Sequence, residues 1–129
     1  MGVTVLIVDD HKTIRTLVRM ATSRAEFMFF EADSAETALP IIETEQPDIV
    51  LLDICMTGEM SGLELCQHIK SGKHPDTFVC LISSLNSEQD VAAGERVGAD
   101  GYLVKPFHLH DLDAMIKKGV AHQTRHANA

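Results

Sequence analysis

Five short apolar runs, at residues 3–8, 27–31, 49–52, 78–82 and 102–104, recur along a chain of 129 residues. The first, third and fourth are almost unbroken Val, Ile, Leu and Phe. A strand buried on one face only alternates apolar and polar residues, whereas a strand covered on both faces does not. Runs this short, bounded by polar residues, read as strands of a parallel sheet rather than as buried helices. The segments between them carry helical spacing. Ile14, Leu17, Val18 and Ala21 form one stripe, and Ala35, Leu39 and Ile42 a second. Leu63, Cys66 and Ile69 form a third, and Leu109, Leu112, Ile116 and Val120 the last. The segment 87–97 is the weakest helix, because Gly94 lies inside it and its apolar face is mostly Ala. Pro40 is predicted to kink or loosen the second helix. Strand and helix thus alternate five times, and right-handed crossovers place helices on both faces of the sheet. The predicted fold is a single (βα)5 domain of the α/β class.

Charge and length exclude several functions. Eleven Lys and Arg against 19 Asp and Glu leave a formal charge of −8, which disfavours nonspecific binding to nucleic-acid phosphates. No apolar run approaches the roughly 20 residues needed to span a bilayer. The opening Met1-Gly2-Val3-Thr4 has no basic segment ahead of an apolar stretch, so no secretory signal is predicted. Cys55, Cys66 and Cys80 form no CxxC pair and read as reduced thiols, which points to the cytoplasm.

In a parallel sheet the functional crevice lies at the carboxyl ends of the strands. Asp9 and Asp10 follow the first run, Asp53 the third, Ser83 the fourth, and Lys105-Pro106 the fifth. A single Asp at such a place is ordinarily a turn or cap residue. Three carboxylates converging on one rim repel one another unless a cation joins them. Hard oxygen donors suit Mg2+. A carboxylate beside Mg2+ and a lysine can act as a nucleophile toward phosphorus, with the Ser83 hydroxyl and Lys105 neutralising charge.

These residues and their neighbours carry a family resemblance. Val5-Leu6-Ile7-Val8-Asp9-Asp10, Asp48-Ile49-Val50-Leu51-Leu52-Asp53, Gly62-Leu63-Glu64-Leu65, Ser83 and the stretch Gly98-Ala99-Asp100-Gly101-Tyr102-Leu103-Val104-Lys105-Pro106-Phe107 together resemble the response-regulator receiver domain of two-component signalling. The resemblance implies a flavodoxin-like sheet of order 2-1-3-4-5. It implies that Asp53 accepts a phosphoryl group from a sensor histidine kinase or a histidine phosphotransfer protein. Asp9, Asp10, Asp53 and the backbone carbonyl of Cys55 would hold Mg2+, and Ser83 and Lys105 would grip the phosphoryl oxygens. Pro106 would follow a cis peptide bond. Ser83 and Tyr102 would switch the surface of the fourth helix, fifth strand and fifth helix toward a downstream protein target. Such a chain modifies only itself and is a monomer or weak dimer. Residues 1–121 would form the receiver, with 122–129 a polar tail or the start of a linker.

Some residues depart from that pattern. Thr57 stands where most members carry proline, and the loop before Gly62 is about one residue longer, predicting a looser rim there. Of the seven histidines, His108 and His110 are too close along a helix to share a face. His122 and His126 have ligand spacing but no third partner. His11 is expected near the rim, tuning access rather than binding Mg2+. Two other readings compete. Asp53-Ile54-Cys55-Met56-Thr57 resembles the D-x-D-x-T motif of haloacid-dehalogenase phosphatases, but Cys55 replaces the acid and Asp53 follows the third strand, not the first. A binding-only receiver would retain an acidic cluster with nothing to neutralise it.

Overall fold

The apolar runs become a five-stranded parallel sheet in a computed structural model that describes residues 2–127 except Thr57 and Lys73, with side chains described as far as Thr124. The strands are β1 (Val3–Val8), β2 (Phe27–Ala32), β3 (Ile49–Asp53), β4 (Phe78–Ser83) and β5 (Gly101–Val104), in the order β2-β1-β3-β4-β5. Between and after them run α1 (Lys12–Ala21), α2 (Ala35–Glu45), α3 (Gly62–Ser71), α4 (Glu88–Arg96) and α5 (Leu109–Ala127). The predicted fold class and strand order therefore hold. The looser rim expected at Thr57 lies outside the described residues, as does the side chain of His126.

Two cores explain why the central strands are apolar throughout. Leu6, Val8, Val50, Leu52, Val79 and Leu81 face one side of the sheet, where Ala38, Ile42, Leu65 and Ile69 of α2 and α3 cover them. Val5, Ile7, Ile49, Leu51, Cys80 and Ile82 face the other, against Val18, Leu112 and Ile116 of α1 and α5. Successive residues of a strand point to opposite faces, so a strand with two covered faces needs an apolar side chain at every position. Every residue of β3 and β4 is buried. The edge strands β2 and β5 are only partly covered.

The helices start where the sequence supplies caps. Ser34, Ser61 and Ser87 each accept the backbone N–H three residues on, and the side chains of Thr37, Glu64 and Asp90 return the bond. α2 runs through Pro40, which lies on the exposed side of the helix. α4 buries only Gly94. A Cβ there would meet Leu81 Cδ1 at 2.9 Å and the Tyr102 ring at 3.4 Å, so glycine is what lets this helix approach the sheet.

The carboxyl end of α5 departs from expectation. Residues 122–127, anticipated as a polar tail, continue the helix. The Gln123 amide donates to the backbone carbonyls of Asp48 and Asp76 at 2.9 Å each, and the His122 ring meets Phe78 edge-on. These contacts fix the last turns against the amino ends of β3 and β4, a tertiary effect invisible to local composition.

Candidate functional site

Parallel register brings the strand ends into one row. Val8 pairs with Leu52, Asp53 with Ile82, and Ser83 with Val104. Asp9 leaves β1 with its N–H bonded to the Ala32 carbonyl, and Lys105 leaves β5 with its N–H bonded to the Ser83 carbonyl. The chain is thus held until the functional side chain has been placed. Asp9, Asp53 and Ser83 are almost completely buried.

Lys105 Nζ lies 3.0 Å from Asp9 Oδ2 and 3.6 Å from Asp53 Oδ2. Burial raises the Asp53 carboxyl from its ordinary 3.8 to about 6, helped by the negative charges of Asp9 and Asp10. The Lys105 ammonium and the Cys55 N–H, 3.3 Å from Asp53 Oδ1, pull the other way and only partly compensate. A single lysine does not neutralise three carboxylates.

The cluster is arranged to take a cation. Asp9 Oδ2, Asp10 Oδ1 and Asp53 Oδ2 are buried oxygens that receive no hydrogen bond. Buried carboxylate oxygens without donors are costly unless a charge partner offsets them. Asp9, Asp10, His11 and Asp53 each offer a ligand atom, all within 4.8 Å of one another. Hard oxygens in that number fit Mg2+, which takes one or two carboxylates and fills its shell with water and substrate oxygen. Among the described residues no other such group occurs.

Ser83 Oγ accepts the Leu85 N–H at 3.0 Å, and the Tyr102 hydroxyl donates to the Leu85 carbonyl at 2.7 Å. Leu85 therefore links the hydroxyl at the site to the half-buried aromatic under α4. The Lys105–Pro106 peptide is cis. Cys55 is exposed, while Cys66 and Cys80 are buried free thiols. Burial pushes the Cys66 thiol up to about 11 and the Cys80 thiol up to about 12, which leaves both protonated and inert. His108 and His110 lie on the opposite side of Pro106 from the acidic cluster in sequence and take no part in it.

Three supporting residues escaped sequence reasoning. Arg15 of α1 donates to the Asp9 carbonyl at 2.8 Å and to Glu31 Oε1 at 2.8 Å, while Arg19 also pairs with Glu31. This holds the β1–α1 turn that carries the acidic pair. Glu36 of α2 accepts the Met60 N–H across the loop before α3. Gly62 opens α3 against the end of β3, where an added Cβ would sit 2.2 Å from the Asp53 carbonyl oxygen. Only its place in the quoted Gly-Leu pair marked it. Gly62→Ala is expected to destabilise the chain by about 1–3 kcal/mol in urea denaturation, because backbone and not a flexible side chain must give way. An unchanged midpoint would remove Gly62 from the residues that position Asp53.

Comparison with known proteins gives one consistent result. A family model described as the response regulator receiver domain matches residues 5–117. A probable transcriptional regulator, ycf27, of Guillardia theta is 36% identical over 113 residues, which is 88% of this chain and 43% of that protein. This chain spans about half the length of the curated relatives it matches. Among solved structures, the receiver domain of NtrX from Brucella abortus is 31% identical with a TM-score of 0.82, covering 91% of this chain and 98% of that one. A BeF3 activated DrrB receiver domain is 30% identical with a TM-score of 0.84, covering 94% and 99%.

Proposed function

This chain belongs to the response regulator receiver domain family, and we propose that it is the phosphoacceptor of a two-component phosphorelay, with Asp53 as the acceptor. The observation that carries this reading is the meeting of Lys105 with both Asp9 and Asp53 at the floor of an acidic cluster in which the buried Asp53 Oδ2 accepts no hydrogen bond. In the step, an Asp53 carboxylate oxygen attacks phosphorus as the bond from phosphorus to the donor histidine nitrogen breaks, and that nitrogen keeps the electron pair. Lys105 and the Ser83 hydroxyl face the charge that develops on the phosphoryl oxygens. Asp9, Asp10, Asp53 and the Cys55 carbonyl would hold Mg2+, which would supply charge neutralisation for the carboxylates and polarisation of the phosphoryl group. The chain's own parts supply positioning and charge, and no further base is required.

Phosphorylation replaces one carboxylate by a group with more charge and three strong acceptor oxygens. Ser83 then turns its hydroxyl from the Leu85 N–H toward phosphate, and the Leu85 carbonyl moves with the Tyr102 hydroxyl bonded to it. Tyr102 packs under Gly94, so the motion reaches the α4–β5–α5 surface where a downstream protein would bind. The relatives named as transcriptional regulators carry further chain beyond the matched part, and output in a similar longer protein accords with this reading. The donor is a sensor histidine kinase or histidine phosphotransfer protein, the location cytoplasmic, and the receiver itself a monomer or weak dimer. Among the described residues no helix is long and apolar enough to cross a membrane.

Beryllofluoride with Mg2+, which mimics an aspartyl phosphate, is expected to shift the NMR resonances of the Leu85 amide and the Tyr102 ring. Asp53→Asn removes those shifts. Resonances that stay put in the parent chain would favour a binding-only receiver. A phosphatase reading would instead require rapid turnover of phosphate esters, for which Cys55 supplies no general acid in place of a second aspartate.

A further inference from the structure

We propose that His11 is a fourth side-chain ligand of the metal site, and that it gives this site a preference for imidazole-accepting divalent cations such as Ni2+ over Mg2+. The proposal rests on the reading of Asp9, Asp10 and Asp53 as metal ligands. His11 Nδ1 lies 3.1 Å from Asp9 Oδ1 and 3.1 Å from Asp10 Oδ1. Two atoms at that separation subtend about 95° at a cation bound at roughly 2.1 Å, an ordinary angle between neighbouring ligands. The His11 backbone N–H is itself bonded to Asp9 Oδ1 at 2.8 Å, which holds the main chain that carries the ring beside the acidic pair. Its ring is 65% exposed, and the small rotation that points Nδ1 at a shared cation costs little packing. A neutral imidazole bound through Nδ1 leaves its proton on the other ring nitrogen.

Asp53 Oδ2, buried and accepting no hydrogen bond, with Lys105 no nearer than 3.6 Å, is the independent sign that a further cation belongs among these groups. Charge closes as well: three carboxylates face one dication and the Lys105 ammonium. Oxygen donors alone suit Mg2+, whereas imidazole suits Ni2+, Cu2+ and Zn2+, and affinity rises along the series from Mn2+ to Cu2+. Adding one nitrogen donor to this acidic set therefore favours the later metals without discarding Mg2+.

The test uses the full chain loaded with Mn2+, which accepts both oxygen and nitrogen donors. Pulsed EPR is expected to show an imidazole nitrogen coupling on the Mn2+ that excess Mg2+ displaces, and His11→Ala is expected to remove it. In calorimetric titration, His11→Ala should weaken Mg2+-competed Ni2+ binding by at least about tenfold, the low end of what loss of a metal-site residue costs. Mg2+ affinity should change by no more than about twofold, since Mg2+ takes oxygen ligands. Displaceable Mn2+ without nitrogen coupling, or unchanged Ni2+ affinity in the variant, would overturn the proposal and leave His11 as a hydrogen-bonding partner of Asp9. Mn2+ that Mg2+ does not displace, or that binds equally well after Asp9→Asn, would overturn the metal-site reading itself and His11 with it.

Discussion

Asp53→Asn is expected to abolish acid-labile phosphate incorporation when the purified chain is incubated with acetyl phosphate and Mg2+. Incorporation requires a carboxylate oxygen to attack phosphorus while the phosphorus–oxygen bond to acetate breaks and acetate departs with the electron pair. An amide of the same size is uncharged and a far weaker nucleophile. The neighbouring acids do not substitute for it. Asp9 is completely buried, with Oδ2 on Lys105 and Oδ1 on the His11 N–H. Asp10 is 23% exposed, and the Lys105 ion pairs go to Asp9 and Asp53 rather than to it. Asn fills the same volume, so loss of labelling reports chemistry and not unfolding. Circular dichroism of the variant checks that point. Label that persists at a stable level in the variant would defeat the assignment of Asp53.

The parts of this site that could be read from sequence are those set by strand periodicity. Asp9, Asp53, Ser83 and Lys105 each end an apolar run, and parallel register alone collects such positions on one rim. Tyr102 was marked by the family resemblance alone, and its bond to the Leu85 carbonyl was not legible. Arg15 and Glu36 were hidden, and Gly62 was marked only by its place in the Gly62-Leu63 pair, for a different reason. Each matters through a contact with a distant segment: Arg15 with the Asp9 carbonyl and Glu31, Glu36 with Met60, Gly62 with the backbone of β3. A charged residue on an exposed helix looks the same in sequence whether or not it holds a loop. The end of α5 was misjudged on the same ground. Its composition is polar, but Gln123 finds two carbonyls at the amino ends of β3 and β4. His11 was placed correctly near the rim, and only its 3.1 Å approaches to both acids turn it from a neighbour into a candidate ligand.

The second large effect is on stability, and its sign follows from the same carboxyl. Asp53 ionises near pH 6 in the fold, against an ordinary value of 3.8. A raised carboxyl pKa means that the fold favours the protonated acid, so the ionised form opposes folding. Above about pH 6 that opposition is fully present, and the gap between 3.8 and about 6 corresponds to about 3 kcal/mol. It diminishes as pH falls through 6 and is gone below 3.8, where both folded and unfolded chains carry a neutral group. In urea denaturation with a chelator present, Asp53→Asn is therefore expected to be more stable than the parent at pH 8, by up to about 3 kcal/mol. The advantage should shrink steadily and nearly vanish by about pH 4. Mg2+ should narrow it at pH 8 by stabilising the parent, because a bound cation offsets the repulsion among Asp9, Asp10 and Asp53 that the variant lacks. Comparing the variant with the parent at each pH cancels the acid loss of other pairs, such as Glu31 with Arg15 and Arg19, whose carboxyl is held low by those guanidiniums despite partial burial. A stability difference that does not vary with pH would mean that Asp53 is not the strained charge of this cluster. The same result would remove the electrostatic reason for a cation to bind there.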